Sequence, residues 1–194
     1  MPRILIIDCF DSFTYNIFHY LDELNSGHCD VVRYDKLDVR TLSEYTHLVI
    51  SPGPGLPDEY PNIKTALSAL DPGMPVLGVC LGLQCIVQFY GGTLERLDSV
   101  KHGVESQLHF QSESVLFQGI KEPMKIGHYH SWIASDRNFP DDVLRVTSRN
   151  DEGFIMSLQH RSLPLFAVQF HPESVMTENG KRLIKNWLLK AKSS

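Results

Sequence analysis

The 194-residue chain has little of anything that would mark it for a special environment. It holds only four cysteines, Cys9, Cys29, Cys80 and Cys85, with no Cys-x-x-Cys pair and no zinc-type quartet among them. That usage excludes a disulfide scaffold and speaks against a metal site. The thiols are expected to be reduced, as in a cytoplasmic protein. No apolar run approaches the ~20 residues that a membrane-spanning helix needs. The opening Met1-Pro2-Arg3 followed by Ile4 to Ile7 is too short, and too soon acidic at Asp8, to be a signal peptide. Cations are outnumbered as well: 18 Lys and Arg stand against 23 Asp and Glu, for a formal net charge of −5. The basic residues are scattered, so neither nucleic acid nor a membrane is expected among the partners. Linkers, internal repeats and low-complexity tracts are also missing. Residues 1–194 are therefore expected to form one domain.

What is there has the proportions of an ordinary globule, 42% hydrophobic and 21% charged. The first half alternates strand and helix signals. Arg3 to Asp8 reads as a buried strand, followed by a turn at Asp8-Cys9-Phe10-Asp11-Ser12. Asp11 or Ser12 is expected to cap the next helix, whose apolar face is Phe13, Ile17, Leu21 and Leu24 and whose end is Gly27. Strands are expected at Asp30 to Tyr34 and His47 to Ser51, with one helical turn between Asp38 and Tyr45. A helix at Ile63 to Leu70, a strand at Val76 to Val79 and a helix closed by Gly91-Gly92 continue the alternation. This order predicts an α/β fold with a doubly wound, mostly parallel sheet flanked by helices. From Thr93 the rhythm changes to short extended segments, an antiparallel or mixed extension. They run over Thr93 to Leu97, Gln107 to Phe110, Met124 to Tyr129, Val143 to Ser148, Phe154 to Gln159 and Leu165 to Gln169. Tyr129-His130-Ser131-Trp132 is placed in a loop within it. A helix from Asn179 to Lys190 closes the chain, with Lys190 and Lys192 suited to its dipole.

The organising stretch is Gly78-Val79-Cys80-Leu81-Gly82-Leu83-Gln84. A strand that ends at Cys80 and turns at once into a helix needs small residues at its flanks, and Gly78 and Gly82 supply them. Such an elbow lifts the sulfur out of the sheet and points the first N–H groups of the helix at whatever it attacks. A thiol becomes a good nucleophile beside an imidazole, and a carboxylate on the far ring nitrogen orients that imidazole. His171 ends another strand, Pro172 breaks it, and Glu173 follows in a rigid turn. Ser51-Pro52-Gly53-Pro54-Gly55 forms a stiff loop beyond the neighbouring strand. Backbone N–H groups of Gly53 and Leu81 are the natural oxyanion donors. These parts imply acyl transfer through a thioester of Cys80. His128 and His130 alternate as metal ligands can, yet lack a third ligand, and no metal is expected.

Gly78 to Gln84 together with Phe170-His171-Pro172-Glu173-Ser174 resembles a class I, triad-type glutamine amidotransferase. The stretches Asp11 to Asn16, Ser51 to Gly55, His102-Gly103, Tyr129-His130-Ser131 and His171 to Gly180 narrow the likeness to the small subunits of anthranilate and p-aminobenzoate synthases. The resemblance implies that Cys80 attacks the side-chain amide of L-glutamine, that His171 protonates the departing ammonia, and that Glu173 orients His171. It implies further that Gln84, with the backbone near Ser131 and Trp132, grips the α-substituents, and that Pro54-Gly55 lines the same pocket. The implied partner is the large subunit of a chorismate-using synthase. Magnesium belongs to that partner and no cofactor to this chain. The family commonly has Asn at Cys9, Arg at His128, Leu at Trp132 and a basic residue where Val104-Glu105 stands. These departures bear on the partner's identity rather than on the triad. The rival readings are a stand-alone cysteine hydrolase of γ-glutamyl compounds, a regulatory subunit with an idle triad, and a flavodoxin-like flavin binder. The last lacks a Ser/Thr-rich phosphate loop after its first strand.

Overall fold

The computed structural model describes residues 1–26 and 28–190. The expected helix stop at Gly27 and the cation at Lys192 lie outside them. In chain order the elements are β1 (Ile4–Asp8), α1 (Thr14–Asn25), β2 (Cys29–Arg33), β3 (His47–Ile50), α2 (Pro61–Ala69), β4 (Val76–Val79) and α3 (Leu81–Phe89). Then come β5 (Leu94–Phe110), β6 (Met124–Ala134), β7 (Leu144–Asn150), β8 (Ile155–His160), β9 (Leu165–Val168) and α4 (Gly180–Lys190). One nine-stranded sheet runs in the order β2-β1-β3-β4-β9-β8-β7-β5-β6. Neighbours from β2 to β9 pair parallel, and those from β9 to β6 pair antiparallel.

Alternation along β1 explains the layers. Ile4 and Ile6 face a core built with α1 and α4, through Ile17, Leu21, Ile184 and Trp187. Leu5 and Ile7 face the opposite core, with Ile63 and Leu67 of α2 and Leu83 and Ile86 of α3. A strand buried on both faces must be apolar throughout, as this one is.

Two expectations change, and two that were open are decided. Thr93 to Leu97 and Gln107 to Phe110 are the two ends of one 17-residue strand, β5, which pairs with β6 across two register shifts. The intervening residues are mostly polar and mostly exposed, and their two valines, Val100 and Val104, face solvent, which hid the strand from an apolar-period reading. Tyr129 to Trp132 is in β6, not in a loop. Of antiparallel and mixed, the extension is mixed: β9 lies parallel to β4 on one side and antiparallel to β8 on the other. Of the two candidate caps, Asp11 serves the start of α1, its Oδ1 accepting from the Phe13 N–H at 2.8 Å. The connector expected at Asp38 to Tyr45 is a 3₁₀ turn, Val39–Glu44, capped by Asp38.

Parallel strands β4 and β9 lie side by side, so residues beyond their carboxyl ends share one edge of the sheet. That edge is where ligands of such sheets sit.

Candidate active site

β4 ends at Val79, and Cys80 bridges to α3 with φ 54° and ψ −101°. A non-glycine residue in that region stores strain of order 1–3 kcal/mol, which only tight surroundings maintain. The flanking glycines show how tight they are. A Cβ on Gly78 would stand 2.7 Å from the Gly82 carbonyl carbon, and one on Gly82 only 2.5 Å from the Ile50 carbonyl oxygen. The helix therefore starts pressed against β3 and β4, and Cys80, 5% exposed, is held at the turn. The Cys80 N–H is fixed by the Val168 carbonyl at 2.8 Å, which ties the elbow to the strand that leads to the histidine.

Beyond β9 the chain bends through Gln169 and Phe170 to His171. The His171 N–H donates to the Gly127 carbonyl on β6 at 3.2 Å, and the Thr177 hydroxyl donates to the His171 carbonyl at 2.6 Å. The turn from 171 to 178 thus covers the outer edge of β6, with Gly180 packed on the Pro172 backbone behind it. His171 Nδ1 and Glu173 Oε1 are 2.7 Å apart, and both residues are buried, 1% and 2% exposed. Phe13 from the opening turn and Tyr129 from β6 box the imidazole edge-on, at 5.1 and 5.0 Å between ring centroids. Burial works against a proton on this ring. The Cys80 sulfur and, after it, Glu173 outweigh that and hold the imidazole well above its ordinary range. His171 Nε2 makes no hydrogen bond among the described residues, which leaves it free to exchange a proton with a reacting group.

The loop after β3 is stapled in place. Ser51 Oγ accepts from the Cys9 N–H at 2.9 Å and donates to the Pro52 carbonyl at 2.7 Å, while the Tyr60 hydroxyl donates to the Pro54 carbonyl at 2.8 Å. Gly53 is backed so closely that a Cβ would meet Leu81 Cδ2 at 2.6 Å. Neither the Gly53 nor the Leu81 N–H donates to a backbone acceptor among the described residues.

These pieces enclose a cavity of about 200 Å³ lined by Gly53, Pro54, Gly55, Cys80, Gln84, Tyr129, His130, Ser131 and Trp132. Every residue that the sequence assigned to the pocket is on that wall except Leu81. Its side chain is buried under the loop, leaving only its backbone to serve. Gln84 Nε2 donates to the Trp132 carbonyl at 2.9 Å, which fixes which way its amide faces. Phe13, Tyr129, His130 and Gln169 were missed as site residues. Phe13, Tyr129 and His130 stood inside motifs that carried the resemblance, but no spacing rule assigns such residues a role. A larger hollow of about 840 Å³ lies by Phe110 to Gln118 and is lined by none of Cys80, His171 and Glu173.

His128 and His130 are not arranged as ligands. His128 Nε2 is 2.6 Å from Ser106 Oγ, and His128 Nδ1 is 3.0 Å from His130 Nε2. Burial pushes the two rings down to about 4 and about 3, so both are neutral near pH 7. Two neutral rings in contact need one donor between them, and the Ser106 hydroxyl, which can donate or accept, completes the chain in either direction. No cluster of potential metal ligands occurs among the described residues.

The comparisons agree with this geometry. The family model described as Glutamine amidotransferase class-I matches residues 5–191. The chain is 39% identical to the aminodeoxychorismate/anthranilate synthase component 2 of Bacillus subtilis, over 95% of this chain and 95% of that one. It is 41% identical to the chloroplastic anthranilate synthase beta subunit 2 of Arabidopsis thaliana, over 95% of this chain and 70% of that one. Its backbone also follows the crystal structure of a glutamine amidotransferase from Thermotoga maritima, with a TM-score of 0.82, covering 100% of this chain and 99% of the other. At 15% identity, that likeness concerns the fold alone.

Proposed function

We propose, from the premise that the chain belongs to the class-I glutamine amidotransferase family, that it is the ammonia-releasing subunit of a chorismate-using synthase. The observation that carries the reading is the buried His171–Glu173 pair acting on a sulfur held at a strained elbow, beside the cavity. Names of relatives that cover both anthranilate and aminodeoxychorismate synthesis support the choice of partner and leave the product to the large subunit.

In this reading the glutamine side chain lies in the cavity, its α-substituents against Gln84, Ser131 and Trp132 and its amide at Cys80. The sulfur, as thiolate opposite a protonated His171, attacks the amide carbon. The N–H groups of Gly53 and Leu81 receive the oxyanion. His171 Nε2 gives its proton to the amide nitrogen, the C–N bond breaks, and ammonia leaves a Cys80 thioester. Glu173 keeps the ring oriented through Nδ1 while it loses and regains charge. The same Nε2 then takes a proton from water, the hydroxide adds to the thioester, and glutamate and the thiolate are released. Thiolate, imidazole and N–H donors suffice for these steps, so they call for no metal or cofactor in this chain. Magnesium is assigned to the partner's site.

Ammonia lost to water is protonated and no longer nucleophilic, so a donor subunit gains by firing only when its partner is docked. Residues 1–194 are read as one such domain acting in the cytoplasm. No helix among the described residues is long and apolar enough to cross a membrane.

The test is glutamate release from glutamine by the wild type and by Cys80→Ser, each with and without a chorismate-using synthase plus chorismate. Activity is expected to rise with the partner and to fall more than ~10³-fold in the variant. Full turnover without any partner would favour a stand-alone hydrolase, and no turnover in any mixture would sink the glutaminase reading.

A further inference from the structure

We propose that Gln169 is a positioning residue for Cys80, a hydrogen-bond donor to the sulfur that links it to the ligand-gripping end of the cavity. The inference rests on the glutaminase reading and adds to it a side chain that lines no part of the cavity wall. Gln169 follows β9 directly, is wholly buried, and has its N–H anchored on the Met156 carbonyl at 2.8 Å. A buried amide needs partners at both ends. Its Oε1 receives Gln84 Nε2 at 3.3 Å, and its Nε2 donates to Cys80 Sγ at 3.5 Å.

The direction of this chain is dictated from outside. The Trp132 carbonyl can only accept, so the Gln84 group facing it is the NH₂. That same NH₂ faces Gln169, whose nearer atom must then be its oxygen. The Gln169 NH₂ is left for the sulfur. A donor aimed at a sulfur favours the thiolate over the thiol, because the anion is the better acceptor. It also fixes the side-chain rotation of Cys80, so that the sulfur faces both His171 and the cavity. A carboxylate here would repel the anion, and a hydroxyl would be too short to bridge the two partners. Because Gln84 is on the cavity wall, a ligand that draws on its amide acts on the nucleophile through one intervening side chain.

The experiment compares the wild type with Gln169→Met and Gln169→Leu, two apolar side chains of similar volume with no donor. Alkylation of Cys80 by iodoacetamide is followed from pH 5 to pH 10 by mass spectrometry of the Cys80 peptide, beside kcat and KM for glutamine. In both variants the alkylation profile is expected to move toward higher pH, so that the rate lags the wild type most at the acid end of the range and converges with it at the alkaline end. A kcat about tenfold lower, with KM within about twofold, is expected alongside. Alkylation curves that superimpose on the wild type, or that fall equally at every pH in folded protein, would overturn the proposal. So would opposite behaviour of Met and Leu, which would mean that shape and not the donor matters. Alkylation needs no glutamine. A wild type that never releases glutamate therefore refutes the glutaminase reading, whereas active wild type with unshifted variants refutes only the role of Gln169.

Discussion

The two halves of the sheet build their shares of the site by different means. The parallel half, through residue 92, works with backbone: a strained Cys80, two glycines that let α3 touch β3 and β4, and a stapled loop in which the Gly53 N–H meets no backbone acceptor among the described residues. The antiparallel half works with side chains. Its imidazoles meet a carboxylate and each other, and the Thr177 hydroxyl donates to the His171 carbonyl, so side chains hold the His171 turn, while Gln84 of the first half reaches across to the Trp132 carbonyl. Backbone placed by close packing can be disturbed only by disturbing the core, whereas a side-chain network can lose one member and keep the fold. The first half should therefore fail globally and the second locally.

Gly82→Ala is the harshest way to break that contrast. The added methyl meets the Ile50 carbonyl in the middle of the sheet, where neither partner can give. A loss of roughly 3 kcal/mol in stability by urea melts is expected, with turnover down about 100-fold from a displaced elbow. A variant as stable as the wild type would show that the backbone half is softer than its packing implies.

Glu173→Gln tests the other half. The amide oxygen still accepts from His171 Nδ1, and the ring can become neutral, so stability is expected to stay within ~1 kcal/mol. Turnover should drop about 30-fold, because the imidazolium loses its counter-charge, a part of the effect a buried general acid–base contributes. Melting and kinetics on one preparation decide it, and a large loss of stability would remove the distinction between the halves.

The smallest effect concerns pH. His128 is held down to about 4 by burial and then by Lys101 and His171, with Glu152 opposing, against a chain of Ser106 and His130. Below pH 6.5 the unfolded chain takes up a proton that the folded ring refuses, so this site's stabilisation falls as the pH falls, by ~2 kcal/mol between pH 7 and pH 5. His171, with its proton held tightly, acts in the opposite sense. The difference between the wild type and His128→Gln isolates His128. The variant's stability should change less across that range, and parallel curves would mean that His128 is charged in the folded protein.

Much was legible beforehand where chemistry is written locally. Gly78-Val79-Cys80-Leu81-Gly82 requires a tight elbow in almost any surroundings, and His171-Pro172-Glu173 brings ring and carboxylate together within three residues. β5 was split because its middle is mostly exposed and mostly polar, and Tyr129 to Trp132 was placed in a loop because a strand covered on its edge by a turn has no local signature. Gln169 was passed over for the same reason: its partners, Gln84 and Cys80, are 85 and 89 residues away.

The sequence by itself thus determined the alternating α/β half, the elbow at Cys80 and the closeness of His171 to Glu173, since each depends on neighbours a few bonds apart. Only the tertiary structure decided that β9 lies against β4, which sets His171 beside Cys80, and that Trp132, Gln84 and Gln169 form one directed chain to the sulfur. Pairing between distant strands is chosen by burial of both faces at once, a property of the whole sheet that no single stretch contains.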